Sequence, residues 1–434
     1  MPGLTIAHFS RHFNCQMPLI APHPSSRAQR AHRLRVRLPS SCVLAALVGT
    51  ELARLSSSSG ALERSSRAWA LALAEHHEVV VVETCPASSR RTSAGPWEVL
   101  QSSPSNLARD LARLSPDVVV VSNRPAWAAE LVTPTLCVLH NYPVAWEVTM
   151  TELGALRRSG ALEAVTFAAV SPTLARASAV VLGRPASAIE VVPPPLDEAF
   201  LSAPRGDPRP GLLLFPHRLL RKKGLEVALA AVDLLGDHDL ELVAFAHFSP
   251  WQQPTEEHLA LVRAVGAAPR ARLVAPLEAP SAMAEWMRAA EVVLCPSLEP
   301  EGLCIAALEA QAVGAPVVAA RAGGLQDAVV RPNELVPPGD PAALASAITR
   351  ARARRHDPAA QSGPASAVAA RHHPARSAAV FSSALERLLE RSGLRSPRAP
   401  WSAGAPGRRP LLASSGHAHD PDHGERGWPA PERA

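Results

Sequence analysis

The stretch Val292–Gly324, VVLCPSLEPEGLCIAALEAQAVGAPVVAARAGG, decides the fold. Val292 to Cys295 have the length and apolar character of a short buried strand, and Pro296 to Gly302 read as a loop. Leu303 to Ala312 are expected to form a helix stopped at Gly314, with the next strand running from Pro316 to Ala320. Such a βαβ unit belongs to a parallel sheet, where ligands sit beyond the carboxyl ends of the strands. Glu301 and the N–H groups of Gly302, Leu303 and Cys304 would therefore face a ligand. Glu309 is harder to place. Gln311 is the only other polar side chain in that helix, which predicts burial nearly all round, and a buried carboxylate needs hydrogen-bond donors to offset its desolvation. A ligand rich in hydroxyls would supply them.

Working outward, the same alternation recurs. Toward the C-terminus a helix begins at Pro341 behind Gly339 and Asp340, and Ala375 to Leu389 form a further amphipathic helix. Toward the N-terminus lie the strands Arg272–Val274, Leu240–Phe245 and Leu212–Phe215, with helices after Gly224 and from Glu256 to Val265. The proline-rich segment Pro193–Pro210 breaks the pattern and marks a boundary. Before it, strands are expected at Cys42–Val48, Val79–Val82, Asp117–Val121, Leu136–Leu139, Val165–Val170 and Ile189–Val192, with helical stretches between. Nearly continuous apolar strands alternating with helices predict parallel sheets covered on both faces. The expected organisation is a basic extension (1–40), a first Rossmann-like domain (41–200), a second (201–374), a crossover helix (375–393) and a disordered tail (394–434).

Composition supports two domains and narrows the function. The chain has 434 residues, 47% of them apolar, and 43 prolines. Its net charge of +5 is a property of one end: residues 1–40 hold six arginines and no acid, leaving 38 basic and 39 acidic groups in the remainder. A neutral body argues against nucleic acid as a partner. The acid-free extension is read as a coding frame begun upstream, with a transit peptide as the alternative. Six cysteines without a CxxC pair fit a reducing compartment. The longest apolar run near the N-terminus, Cys42–Gly49, falls well short of the roughly 20 residues that span a bilayer.

The basic residues carry a second signal. Only two of the 44 are lysines, Lys222 and Lys223, adjacent in PHRLLRKKGLE just after the strand Leu212–Phe215. With Arg218 before them and Gly224 opening a helix, the loop offers a guanidinium, an ammonium and free N–H groups together, a cradle suited to a diphosphate.

On these residues the second domain resembles the donor domain of retaining GT-B glycosyltransferases of family 4. Arg218, Lys223-Gly224 and the pair Glu301 and Glu309 fall on the family's Arg, Lys-Gly and Glu-seven-Glu positions, and VVLCPS, ALEAQAVGAPVVAARAGGLQDAV and ELVPPGDPAALASAI read like its text. The first domain is similar more loosely, through VLAALVGTELARL, PDVVVVSN, TLCVLHN, AVSPTLA and VVPPPLDEAF. The resemblance implies an α/β GT-B fold, two Rossmann-like domains with parallel sheets facing across a cleft. It further implies that Arg218 and Lys223 bind the donor diphosphate, that Glu309 holds the ribose hydroxyls, and that Glu301 contacts the transferred sugar beside Gly302, Leu303 and Cys304. His140 would lie near the sugar or acceptor, and Gly60 would let the first loop approach the diphosphate. The implied reaction moves a hexosyl unit from a nucleotide-diphosphate sugar to an acceptor hydroxyl with retention, without a protein nucleophile and without a required metal or cofactor. The implied setting is cytoplasmic, compatible with peripheral contact at the inner face of a membrane.

The chain differs from that family at Leu303-Cys304, where Phe-Gly is usual, and at Pro194-Pro195, where Asn-Gly is usual. These differences motivate the alternatives of a non-catalytic nucleotide-sugar binder or a sugar-nucleotide epimerase on the same fold. Asp237-His238-Asp239 is a DxD sequence but falls in a helix-to-strand turn, and the His417–His423 cluster has nothing to orient it. Neither is assigned a metal.

Overall fold

The computed structural model describes residues 44–49, 61–84, 90–94, 97–146, 148–202, 208–246, 255–277, 279–331, 333–354 and 357–393. Two sheets organise them. The first contains β1 (Leu44–Gly49), β2 (Glu78–Thr84), β3 (Arg90–Ala94), β4 (Trp97–Ser102), β5 (Val118–Ser122), β6 (Thr135–Leu139), β7 (Val165–Ala169) and β8 (Ile189–Val191), in the order β3-β4-β2-β1-β5-β6-β7-β8. Around it lie α1 (Ala61–Ala74), α2 (Leu107–Leu114), α3 (Pro125–Ala129), α4 (Met150–Arg158) and α5 (Pro172–Leu182). The central strands are buried along their whole length, Val118 to Ser122 and Thr135 to Leu139 included, as a sheet covered on both faces requires.

The second sheet contains β9 (Leu212–Phe215), β10 (Glu241–Phe245), β11 (Ala271–Val274), β12 (Val292–Cys295), β13 (Val317–Ala320) and β14 (Glu334–Val336), in the order β11-β10-β9-β12-β13-β14. Its pairings are all parallel. The helices are α6 (Leu225–Leu235), α7 (Glu256–Ala267), α8 (Pro280–Ala289), α9 (Ile305–Ala312), α10 (Leu325–Ala328) and α11 (Pro341–Ala353), followed by α12 (Pro358–His372) and α13 (Pro374–Arg391). Strand order reverses between β9 and β12, so the crevice at their carboxyl ends is the place where a doubly wound sheet binds ligands.

Several expectations are corrected. The first sheet is not wholly parallel, because β3 runs antiparallel to β4 at its edge. The sequence RRTSA of β3 lacks the apolar run that marks the inner strands, and an edge strand needs none. The helix after Glu301 begins at Ile305 rather than Leu303, since Cys304 is extended (φ −88°, ψ 98°) and caps it. Nor is that helix buried all round: Ile305, Ala306 and Ala312 keep some accessible surface. The helix Pro358–His372 is not expected from the sequence, where Gly363 and Pro364 hide its period.

The returning helix α13 packs on the first sheet's core. Phe381, Ala384, Leu385, Leu388 and Leu389 join that cluster, and Phe381 stacks on Trp69 of α1 with centroids 4.7 Å apart. Trp69 Nε1 donates to Ser377 Oγ at 2.9 Å, which itself donates to the Pro193 carbonyl at 2.5 Å. The prolines of the connecting segment lack N–H donors, but the carbonyls of Pro193 and Pro194 are satisfied by α13 and α12. The Pro194 carbonyl pairs with His372 Nδ1 at 2.8 Å.

His372 makes the fold sensitive to acid. Burial lowers its pKa from the ordinary 6.5 to about 4, opposed by the bond to the Pro194 carbonyl and reinforced by Arg371. The folded state therefore favours the neutral ring. Stability is full above pH 6.5 and is lost as pH falls toward 4. The loss from this group is about 3 kcal/mol. Denaturant titrations between pH 7 and 4 should show that slope, and His372→Gln should flatten it. An unchanged slope would refute the assignment.

No helix among the described residues is long and apolar enough to cross a membrane.

Candidate active site

The loops after β9 and β12 meet at the switch point. Gly224 takes a left-handed conformation (φ +78°), and a Cβ placed on it would lie 2.0 Å from the Pro296 carbonyl oxygen. The Leu298 N–H donates to the Lys222 carbonyl at 2.8 Å. These backbone contacts lock one loop to the other, and the result is an ion pair: Lys223 Nζ donates to Glu301 Oε2 at 2.8 Å. Ser297 Oγ donates to the other carboxylate oxygen. Burial works most strongly against both charges, but Glu301 with Cys304 raises the Lys223 pKa, and Lys223 with His217 and Ser297 lowers that of Glu301. Arg218 points outward, exposed and without an ion pair among the described residues. The switch point thus keeps exposed cations, Arg218 and Lys222 among them, beside one balanced, largely buried pair.

The first domain closes on the same loop. A Cβ on Gly302 would come within 1.9 Å of the His140 carbonyl oxygen. Only glycine permits this approach. Ser171, the N-cap of α5, accepts from the Leu174 N–H and donates to the Gly302 carbonyl at 2.7 Å. Asp327 in α10 accepts from the Thr173 N–H at 2.7 Å. The N–H groups of Gly302, Leu303 and Cys304 make no hydrogen bond among the described residues, which leaves three donors at the start of α9.

His140 follows β6, its backbone N–H bonded to Asn123 Oδ1 at 2.7 Å. Asn123 itself is left-handed (φ 56°). Asparagine tolerates that conformation better than most residues with a Cβ. The His140 imidazole lies 5.8 Å from the Trp69 ring, with Nε2 buried and unpartnered, and burial lowers its pKa to about 4. It is a neutral ring at neutral pH, fit to share a hydrogen bond with a ligand rather than to supply charge.

Glu309 is buried in α9, as its sequence context demanded, but its partner comes from far along the chain. Arg64 of α1 donates to Glu309 Oε1 at 2.7 Å, reaching from the first domain. Burial still dominates and raises the Glu309 pKa, with Arg64 opposing it and Asp197 adding to it. Ser171, Ser297 and His217 also join the site, and sequence reading does not assign them. Ser297 is discoverable from its place at the end of β12, four residues before Glu301, whereas Arg64 lies 245 positions from its partner and leaves no local signal. Gly60 lies outside the described residues.

Asp237 occupies the turn between α6 and β10. It accepts from the Asp239 N–H at 3.0 Å and pairs with Arg352 of α11 at 2.8 Å, which is a turn-forming role. The His417–His423 cluster lies outside the described residues.

Two doubly wound sheets with a phosphate-type loop and a carboxylate loop at the second sheet's switch point define the GT-B architecture. Solved structures of that fold superpose over 80% of this chain: sucrose-phosphate synthase from Thermosynechococcus elongatus (TM-score 0.63, 20% identity, its whole length) and Anabaena HepE in complex with UDP and glucose (TM-score 0.60, 16% identity, its whole length). Residues 210–353 match the family model described as Glycosyl transferases group 1. Curated relatives include D-inositol 3-phosphate glycosyltransferase 2 of Catenulispora acidiphila, 36% identical over 32% of this chain and 35% of that protein. The D-inositol 3-phosphate glycosyltransferase of Acidothermus cellulolyticus is 37% identical over 37% of this chain and 40% of that protein. The chain thus spans well under half the length of these curated relatives.

Proposed function

We propose that the protein transfers a hexosyl unit from a nucleoside-diphosphate sugar to an acceptor hydroxyl, on a glycan, a lipid-linked acceptor or a small molecule, with retention of configuration. The observation that carries this reading is the convergence of Arg218, Lys223 and Glu301 at the switch point. Exposed Arg218 and the Lys223 ammonium meet the diphosphate and stabilise its growing charge as the glycosidic bond breaks, which is where electrostatic preorganisation acts most strongly. This reading therefore calls for no metal ion at the diphosphate. Glu301, with the N–H groups of Leu303 and Cys304, orients the sugar, and Glu309 takes the ribose hydroxyls once Arg64 gives way. His140 offers a neutral hydrogen-bonding ring on the facing side. The acceptor hydroxyl attacks from the face the diphosphate leaves, and its proton passes to the departing phosphate. Related folds support the donor class, since HepE is solved with UDP and glucose.

A second reading is nucleotide-sugar binding without turnover, favoured by Cys304 at the sugar loop and by Arg64 already occupying Glu309. Mass spectrometry of incubations with UDP-, GDP- and ADP-sugars, with and without hydroxyl acceptors, separates the two. Released nucleoside diphosphate, lost in Glu301→Gln, supports transfer. Saturable binding weakened by Glu309→Gln, with no release, supports the second reading. Neither release nor binding with any donor would sink both.

A further inference from the structure

Near the Lys223–Glu301 pair, three potential ligand side chains converge to which the proposed transfer assigns no role. His217 follows β9, Cys295 ends β12, and Cys304 caps α9. They are 5%, 0% and 2% exposed, and one ligand atom from each lies within 4.8 Å of the other two. Both cysteines are free and buried.

His217 is the decisive member. Its ring Nε2 is buried with no hydrogen-bond partner. A metal-ligating histidine turns such a ring nitrogen to the ion. An unpartnered buried nitrogen otherwise carries an uncompensated desolvation cost, which a ligand would recover.

We propose that His217 Nε2, Cys295 Sγ and Cys304 Sγ form a binding site for a thiophilic divalent ion of the zinc type. One imidazole and two thiolates suit zinc, and soft ligands disfavour magnesium and calcium. Bonds of about 2.3 Å to sulfur and about 2.0 Å to nitrogen put the ligand atoms about 3.5–3.8 Å apart in a tetrahedron. Rotation of the two cysteine side chains closes the difference from 4.8 Å. On binding, two thiol protons leave to solvent and no electrons move. The two thiolates balance the dication, so Lys223 and Glu301 keep their pairing. The ion would clamp the start of α9 to the ends of β9 and β12, stiffening the loop that carries Glu301 and Gly302. This site is independent of the transfer reading and would exist in a protein without turnover.

The test is an anaerobic titration of the full chain, stripped with chelator and kept in a non-thiol reductant, with Co²⁺. A single equivalent should give thiolate-to-cobalt charge-transfer absorption, and Zn²⁺ should displace it and raise the thermal midpoint. The band should vanish in Cys304→Ser, weaken in His217→Gln and persist in the triple variant C15S/C42S/C85S. No charge-transfer band, or a band undiminished in Cys304→Ser, overturns the proposal. X-ray absorption on the zinc-loaded wild type serves if Cys304→Ser does not fold. A shell with two sulfurs supports the site, and a shell of oxygen and nitrogen alone overturns it.

Discussion

Replacing Lys223 by methionine is expected to lower donor turnover by about 10²–10³-fold, the usual consequence of removing one preorganised donor from a developing oxyanion. The same change strands Glu301. That carboxylate is 13% exposed and pairs with Lys223 at 2.8 Å. Removing one partner of such a pair costs about 3–5 kcal/mol, because the other charge stays buried. Turnover and stability should therefore fall together. Adding Glu301→Gln in the same chain should recover most of the thermal midpoint, since a neutral amide needs no counter-ion, while turnover stays low. The comparison separates a catalytic role from a purely structural one. A single variant with unaltered turnover, or a double variant that regains activity, would sink the assignment.

Gly224→Ala is expected to be among the most damaging single-methyl changes in the second domain. Its left-handed conformation alone costs a residue with a Cβ about 1–2 kcal/mol. The added methyl would also lie 2.0 Å from the Pro296 carbonyl oxygen, a backbone atom that cannot turn aside. Relief requires the Lys223 loop and the Glu301 loop to part, which would lengthen the ion pair and weaken donor binding. Gly236→Ala is the control: φ is again positive (+63°), yet a Cβ there meets nothing within 4 Å. Chemical denaturation should show a modest loss for Gly236→Ala and a clearly larger one for Gly224→Ala. Equal losses would mean that the steric contact with Pro296 carries no weight.

Much of the donor side is legible in the chain itself. The apolar runs of β9, β12 and β13 match their expected places to within a residue. A strand buried on both faces must be apolar throughout, which is why such runs stand out. The Arg218–Lys223 loop and Glu301 are readable because each lies within a few residues of such a strand's end. The edge strand β3 and its neighbour β4 are not readable, because RRTSA and WEVLQS hold no continuous apolar run.

Sequence alone therefore determined the α/β alternation, the burial of Glu309 and the identity of the residues around the switch point. Tertiary structure alone decided which groups answer them. Arg64 reaches Glu309 across 245 positions, Gly302 is pressed against the His140 carbonyl, and His217 meets Cys295 and Cys304 near the ion pair. The reason is physical: periodicity reports how a residue relates to its own helix or strand. Charge pairing and ligand geometry depend on the close approach of elements far apart in the chain, which no local pattern encodes.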